Sequence, residues 1–314
     1  MNSLDLDRLR RYSQALPEGS LAPLRQDAVE LLGEAGLPTT RDEDYKYTDV
    51  SEVARVSDDW LRHAAVSAPS ADIDDLVAAL GSNASVDWLV IRNGQVDDIF
   101  TTELQGIELL RLSDSPRTPA ASSPMAALNL ALLGDGILID IRENRERPLG
   151  LLIVDDAETA SGVSPVRIDV RVKETIAADL IEYHASRGKE THYSSAFMSL
   201  EIAAAGRLRH VRIQDRGLAH AQTQNLAVKL GRDAEFRSAS FDFGGKLARN
   251  DLEVELPERG AHAEFHGLYL AGDSQHVDNH TVVNHRVGPA TSRQEYRGIL
   301  AGQARAVWNG KALV

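Results

Sequence analysis

From about residue 136 onward, apolar and polar residues alternate with a period of two. The runs "ILIDIRE", "VRIDVRV", "LRHVRI", "NLAVKL", "DLEVEL" and "AEFHGLYL" each send every second side chain to one face of an extended strand. Residues that interrupt strands sit between them: Gly231 with Asp233, Gly244 with Gly245, Pro257 with Gly260, Gly272 with Asp273, and Gly288 with Pro289. From residue 200 onward, strand candidates recur at short, uneven intervals with no crossover helix between them. This predicts a long all-β region, either a sandwich, a barrel or a β-helix. Period and spacing alone do not choose among the three, because the repeat has no strict residue motif.

The chain before that point is patterned differently. Ser20 is placed to cap a helix with Pro23 in its first turn. Leu24, Val29, Leu31 and Leu32 form its apolar face, and Gly33, Gly36 and Pro38 end it. A second helix is predicted over residues 71–80 on Ile73, Leu76, Val77 and Leu80. A third runs from Pro124 to about Leu133, with Ser123 as N-cap and Gly134 just beyond the end. "WLVIRNGQVDDIF" reads as two short strands around an Asn93-Gly94 turn. The pattern therefore divides the chain into a mixed, helix-bearing region over residues 1–135 and a β region over residues 136–314.

At 314 residues, with 43% hydrophobic and 26% charged residues, the chain can bury a sizeable core. No stretch reaches the roughly 18 consecutive apolar residues that a membrane span requires, and the first twenty residues lack the apolar segment of a signal peptide, so a cytoplasmic protein is expected. A net charge of −13 argues against nucleic acid, whose affinity comes mostly from Lys and Arg neutralising phosphates. There are no cysteines, which removes disulfides, thiolate nucleophiles and cysteine-ligated clusters, so a metal could bind only through His, Asp or Glu.

Nine of the ten histidines follow residue 183. "DNHTVVNH" suggests ligands, but strand geometry opposes it. Residues rise about 3.3 Å each, which sets His276 and His280 roughly 13 Å apart on one face and turns His285 to the other. No metal site is therefore expected in this chain alone. His280, His285 and Arg293 are taken as structural or partner-facing residues. An alternative function is a β-helix carbohydrate lyase or hydrolase with Asp278, His280 and Arg293 lining a groove. A weaker one is a jelly-roll metal enzyme using His280 and His285. The charges of "SRQEYRG" and of "LRHVRIQDRG" are expected to form structural ion pairs.

Several segments in order resemble the SufB/SufD family of iron-sulfur cluster assembly proteins. They are "GLPTTRDEDYKYTDV", "MAALNLALLGDGILIDI" followed by "RPLGLLIV", the long run from "VKLGRDAEFRSASFDFGG" to "NHTVVNH", and "SRQEYRGILAGQARAVWNGK". The front half is similar to the lead-in of the D member, with Arg41, Glu43, Tyr45, Lys46, Tyr47 and Thr48 in its R-x-E-x-W-K-Y-T-like signature and Tyr45 where Trp is usual. The resemblance implies a right-handed parallel β-helix and a non-catalytic scaffold beside a SufB-like subunit and a SufC-like ATPase, with a homodimer as another assembly. It implies no cofactor on this chain alone and an iron-sulfur cluster only in the complex. Family members continue past "VWNGK" to a Cys-x-His-Gly motif and ATPase-docking helices. The chain stops at Val314, and a truncated protein is the expectation drawn from that.

Overall fold

The computed structural model describes residues 4–63, 85–96, 104–115, 120–158 and 160–314. The helix expected over 71–80 lies outside them. Among the described residues, two eight-stranded sheets face each other. Sheet I is built from β5 (Leu149–Ala157), β7 (Ala177–Gly188), β9 (Arg207–Asp215), β11 (Glu235–Asp242), β13 (His262–Ala271) and β15 (Thr291–Leu300), preceded by β1 (Asp87–Arg92) and β2 (Gln95–Val96). Sheet II holds β3 (Ile107–Arg111), β4 (Ile137–Ile141), β6 (Gly162–Val172), β8 (His192–Ile202), β10 (His220–Leu230), β12 (Leu247–Leu256), β14 (His276–His285) and β16 (Arg305–Leu313).

From β4 the chain changes sheet at every strand, and each strand pairs in parallel with the one two places on. This is a parallel β-solenoid of about six turns, so the β-helix holds and the sandwich and the barrel fall away. One turn is the stretch of chain between residues that face each other on adjacent coils, as Leu149 faces Leu180 and Glu235 faces His262. The two stretches differ in length, which is why no fixed sequence spacing announced the repeat. Among the described residues only the β1–β2 and β3–β4 pairs are antiparallel. Both β1 and β3 come from before residue 136 yet join the two sheets. The Asn93-Gly94 turn joins β1 to β2 as expected, with Asn93 and Gly94 both at positive φ.

Alternation sets which side chains enter the lumen. Leu151, Ile153, Val166, Ile168, Met198, Leu200, Phe236 and Phe265 point inward and are buried. Burying each such side chain contributes roughly 1.5–3 kcal/mol. Successive turns stack at one corner, where Thr175, Ala205, Asp233 and Gly260 each take positive φ. The Thr175 N–H donates to the Ala204 carbonyl, that of Ala205 to Arg232 and that of Asp233 to Arg259, so the next coil satisfies the backbone at the bend. In the last turns Gly267 has no room for a Cβ, which would strike the Tyr296 ring. Tyr296 fills that space and stacks on Trp308, with ring centroids 5.6 Å apart.

The helices are α1 (Leu6–Ala15), α2 (Leu21–Ala35), α3 (Ser51–His63) and α4 (Pro124–Leu132). The α2 and α4 helices match expectation, and Ser123 caps α4 by accepting from the Ala126 N–H. Ser20 differs: it lies in the helical region and its hydroxyl donates to the Leu112 and Ser113 carbonyls instead of capping α2. Helices α1 and α3 were not foreseen. Leu9, Leu32, Val53 and Leu128 form a second core against Val163, Tyr193, Ala221 and Leu247 on the outside of sheet II. Asn129 pins α4 there by donating to the Val166 and Ser195 carbonyls. No helix among the described residues is long and apolar enough to cross a membrane.

Candidate functional site

Two polar assemblies stand out, one on the outer surface of sheet II and one inside the lumen. The first is where the "RDEDYKYT" segment lies across β12, β14 and β16. Arg249, almost wholly buried, is its centre. It donates to Asp278 Oδ2 at 2.6 Å, to both oxygens of Asp251 at 2.8 and 3.0 Å, and to the Asp44 carbonyl at 2.8 Å, while its guanidinium lies 3.7 Å from the Tyr45 ring centroid. The aromatic ring at position 45 therefore serves as a face for a cation, a role Tyr fills as Trp would. The Thr48 hydroxyl donates to Asp278 Oδ2 at 2.5 Å and meets His276 Nε2 at 2.8 Å. Exposed pairs between Lys311 and Asp44, and between Lys246 and Glu52, finish the attachment.

His280 is part of this assembly. Its Nε2 lies 2.9 Å from Asp278 Oδ1, and it lines a cleft with Glu43, Asp44, Lys46, Tyr47 and Asn309. Burial pushes Asp278 up, but hydrogen bonds from His280 and Thr48 and the charge of Arg249 hold it below its usual value. Burial dominates at Asp251 and raises it. Burial lowers His276.

The other flagged residues are elsewhere. His285 lies at the far end of β14, on the opposite face, with Nε2 2.9 Å from Ser292 Oγ. Arg293 is on β15 in sheet I, well exposed and 3.7 Å from Glu295. Asp278, His280 and Arg293 thus share no groove, and the carbohydrate reading loses its catalytic set. His280 and His285 point apart, which removes the pair that the metal-enzyme reading needed. Among the described residues no group of three or more His, Asp or Glu is placed to hold a metal ion.

The second assembly was not anticipated. Where β7, β8, β9 and β10 enter the lumen at one side, the inward positions are ionic or amide-bearing. Glu182 is fully buried and accepts from His210 Nε2 at 2.6 Å, from His184 Nε2 at 2.9 Å and from Gln224 at 2.9 Å. Arg216, equally enclosed, pairs with Asp155 and donates to Gln222 at 2.7 Å and Ser194 at 3.1 Å. Further along, Arg212 bonds Asp242 at 3.0 Å, and Asn250 links Asp242 to Asn279.

Burial alone would raise Glu182, but the two imidazoles hold its carboxyl far below the usual range. Burial also opposes the charge on Asp155, which Arg216 nonetheless keeps low. His184 and His192 are pushed down by burial, and His220 is lowered to about 4 for the same reason. The signal was available in the sequence: polar residues at 182, 184, 210, 212, 214 and 216 occupy the parity where Leu180 and Leu208 point inward. The Arg residues of "LRHVRIQDRG" do form structural ion pairs, but with other coils: Arg209 with Asp179, Arg212 with Asp242 and Arg216 with Asp155, while Arg207, just before the run, pairs with Glu235.

A parallel two-sheet solenoid, with helices packed on one outer face and the 41–50 segment clamped to its later coils, belongs to the class of parallel β-helix folds. Residues 154–314 match the family profile described as "SUF system FeS cluster assembly, SufBD core domain". The chain belongs to the SufBD family. It is 24% identical over 298 residues to the iron-sulfur cluster assembly protein SufD of Escherichia coli strain K12, spanning 92% of this chain and 69% of that protein. A SufBD family protein of Synechocystis is 24% identical over 96% of this chain and 72% of its own length. A Mycobacterium tuberculosis member is 27% identical over 63% of this chain and 50% of its own.

Proposed function

We propose that this chain is a SufD-like scaffold subunit in iron-sulfur cluster assembly, working with a SufB-like subunit and a SufC-like ATPase and making no bonds of its own. The observation that carries this reading is the family match over residues 154–314, which covers β6 to β16, most of the coils that form the solenoid. The lack of cysteine supports it, since the iron of a cluster is usually held by thiolates, which a partner would have to supply. The ionisable groups of the lumen agree, because they are buried and bonded to one another in the interior. The cluster is cargo in this reading, and the chain works within a complex in the cytoplasm.

Co-expression with tagged SufB-type and SufC-type subunits tests it. A complex retaining all three chains through size-exclusion chromatography is expected. Elution of this chain alone, with the other two bound only to each other, would overturn it.

A further inference from the structure

The outer faces of the two sheets differ. Sheet II carries α3 and α4 on β6 and β8. On sheet I the parallel register lines up Tyr183, Ile213, Phe241 and Leu268 on successive strands, each pointing outward and half-buried. A second row beside it holds Val211 and Ala239. At its β1–β5 end the same band is fully covered, with Val90 and Leu152 at 0% and 1% exposure. Beyond β7 it opens to solvent, and its margin includes Phe243 and Leu270 at 38% and 39% exposure. A contiguous apolar strip of this kind on one face of a sheet marks an interaction surface.

The charges along one edge of the band are layered. Arg209 is 75% exposed over Asp179 at 30%, and Arg237 is 58% exposed over Glu235 at 27%. Glu264 stands in register with Arg237, so a carboxylate matches each guanidinium, but the guanidiniums stand outermost and the carboxylates lie beneath, which turns the positive groups outward along this edge. Four strands about 4.8 Å apart give the band a length of roughly 14 Å. That matches about ten residues of helix at 1.5 Å each. A helix laid on a sheet face is a common way to cover such a surface.

The geometry points to a docking site on the outer face of β7, β9, β11 and β13 for an amphipathic helix of a partner protein, with its apolar stripe on Ile213 and Phe241 and acidic residues toward Arg209 and Arg237. This goes beyond the scaffold reading and does not depend on which subunits assemble with the chain. The helix would bury the strip and bring its carboxylates to the outer edges of Arg209 and Arg237, whose inner edges already rest on Asp179 and Glu235.

A fluorescein-labelled peptide long enough to span the band as a helix, with a leucine stripe at helical spacing and glutamates on its flanks, tests the site by anisotropy against the intact chain. Its counterpart has lysines in place of the glutamates. The acidic peptide is expected to bind at least tenfold tighter than the basic one. Phe241→Lys should weaken it tenfold or more, as should the surface double variant Arg209→Glu/Arg237→Glu, whose circular dichroism should stay unchanged. Equal binding of both peptides, or binding indifferent to the double variant, would overturn the proposal. So would a surface that takes phosphatidylserine vesicles instead of the peptide and loses them through the same variants.

Discussion

One side of the lumen is lined by Ile153, Val166, Leu200 and Phe265, and the other by Glu182, His184, Arg216 and Asp155, although the same coils supply both. The apolar side needs only volume and tolerates similar residues. The ionic side depends on partners, since each buried charge is stable only while its opposite remains in place. Two halves of one interior can thus be equally buried and respond very differently to change.

Removing one partner on the ionic side should show this most strongly. Arg216→Leu leaves the Asp155 carboxylate buried without its counter-charge and should cost about 3–5 kcal/mol in denaturant unfolding. The double variant Asp155→Leu/Arg216→Met should recover most of that loss, because a well-packed apolar pair is often neutral relative to an ion pair. A double variant as unstable as the single would mean that the network is not the cause. On the apolar side, Phe265→Ala should cost a comparable ~3–5 kcal/mol through a cavity, but Ile153→Val only about 1 kcal/mol. No substitution at Arg216 or Asp155 is so conservative and so cheap.

Acid should separate the halves next. The folded state holds His220 near 4, against about 6.5 when unfolded, and lowers His184 and His192 too. The unfolded chain therefore binds more protons as pH falls from 6.5 toward 4, and stability should drop across that window, by on the order of 3 kcal/mol for His220 alone. Above pH 7 these histidines are neutral in both states and stability should be flat. The depressed carboxylates of Asp155 and Glu182 work in the same direction at lower pH. Urea unfolding at stepped pH measures this, and His220→Phe should make the curve shallower by the His220 share. A slope unchanged in that variant would place the titration elsewhere.

Smaller effects lie outside the lumen. Thr48→Val removes the hydroxyl shared by Asp278 and His276 and should cost about 1–3 kcal/mol, with increased hydrogen exchange through residues 41–50. Arg209→Ala, at an exposed pair, should change stability by about 0–1 kcal/mol.

Much of the solenoid was legible because period-two alternation and turn residues depend only on local geometry. The corners at Asp233, Gly260 and Asp273 take the positive φ that those residue types suggest. What local pattern does not carry is which strand lies beside which, so the parallel stacking rested on the resemblance alone. Helix α1 escaped notice because it buries only Leu9 and Ser13, too narrow a stripe to read. Helix α3 holds two valines, which favour strands, and it is kept in place by packing against the core more than by propensity.

At the candidate site, the one-face rule for His276 and His280 and the separation of His285 followed from strand geometry and hold. Arg249 escaped because its partners come from residues 44, 45, 251 and 278, two of them some two hundred positions away. The lumen network escaped for a different reason. Polar residues at strand parity look like an outer face until the neighbouring coils show which face is in.

The central claim is that this chain holds an assembly together while the cluster forms on another subunit. Anaerobic reconstitution with ferrous iron and sulfide, on the three-chain complex and on this chain alone, followed by separation and iron and sulfide analysis, tests it most directly. The account predicts that iron and sulfide remain with the partner chain and appear only when this chain is present in the complex. Stoichiometric iron and sulfide retained by this chain by itself would contradict it.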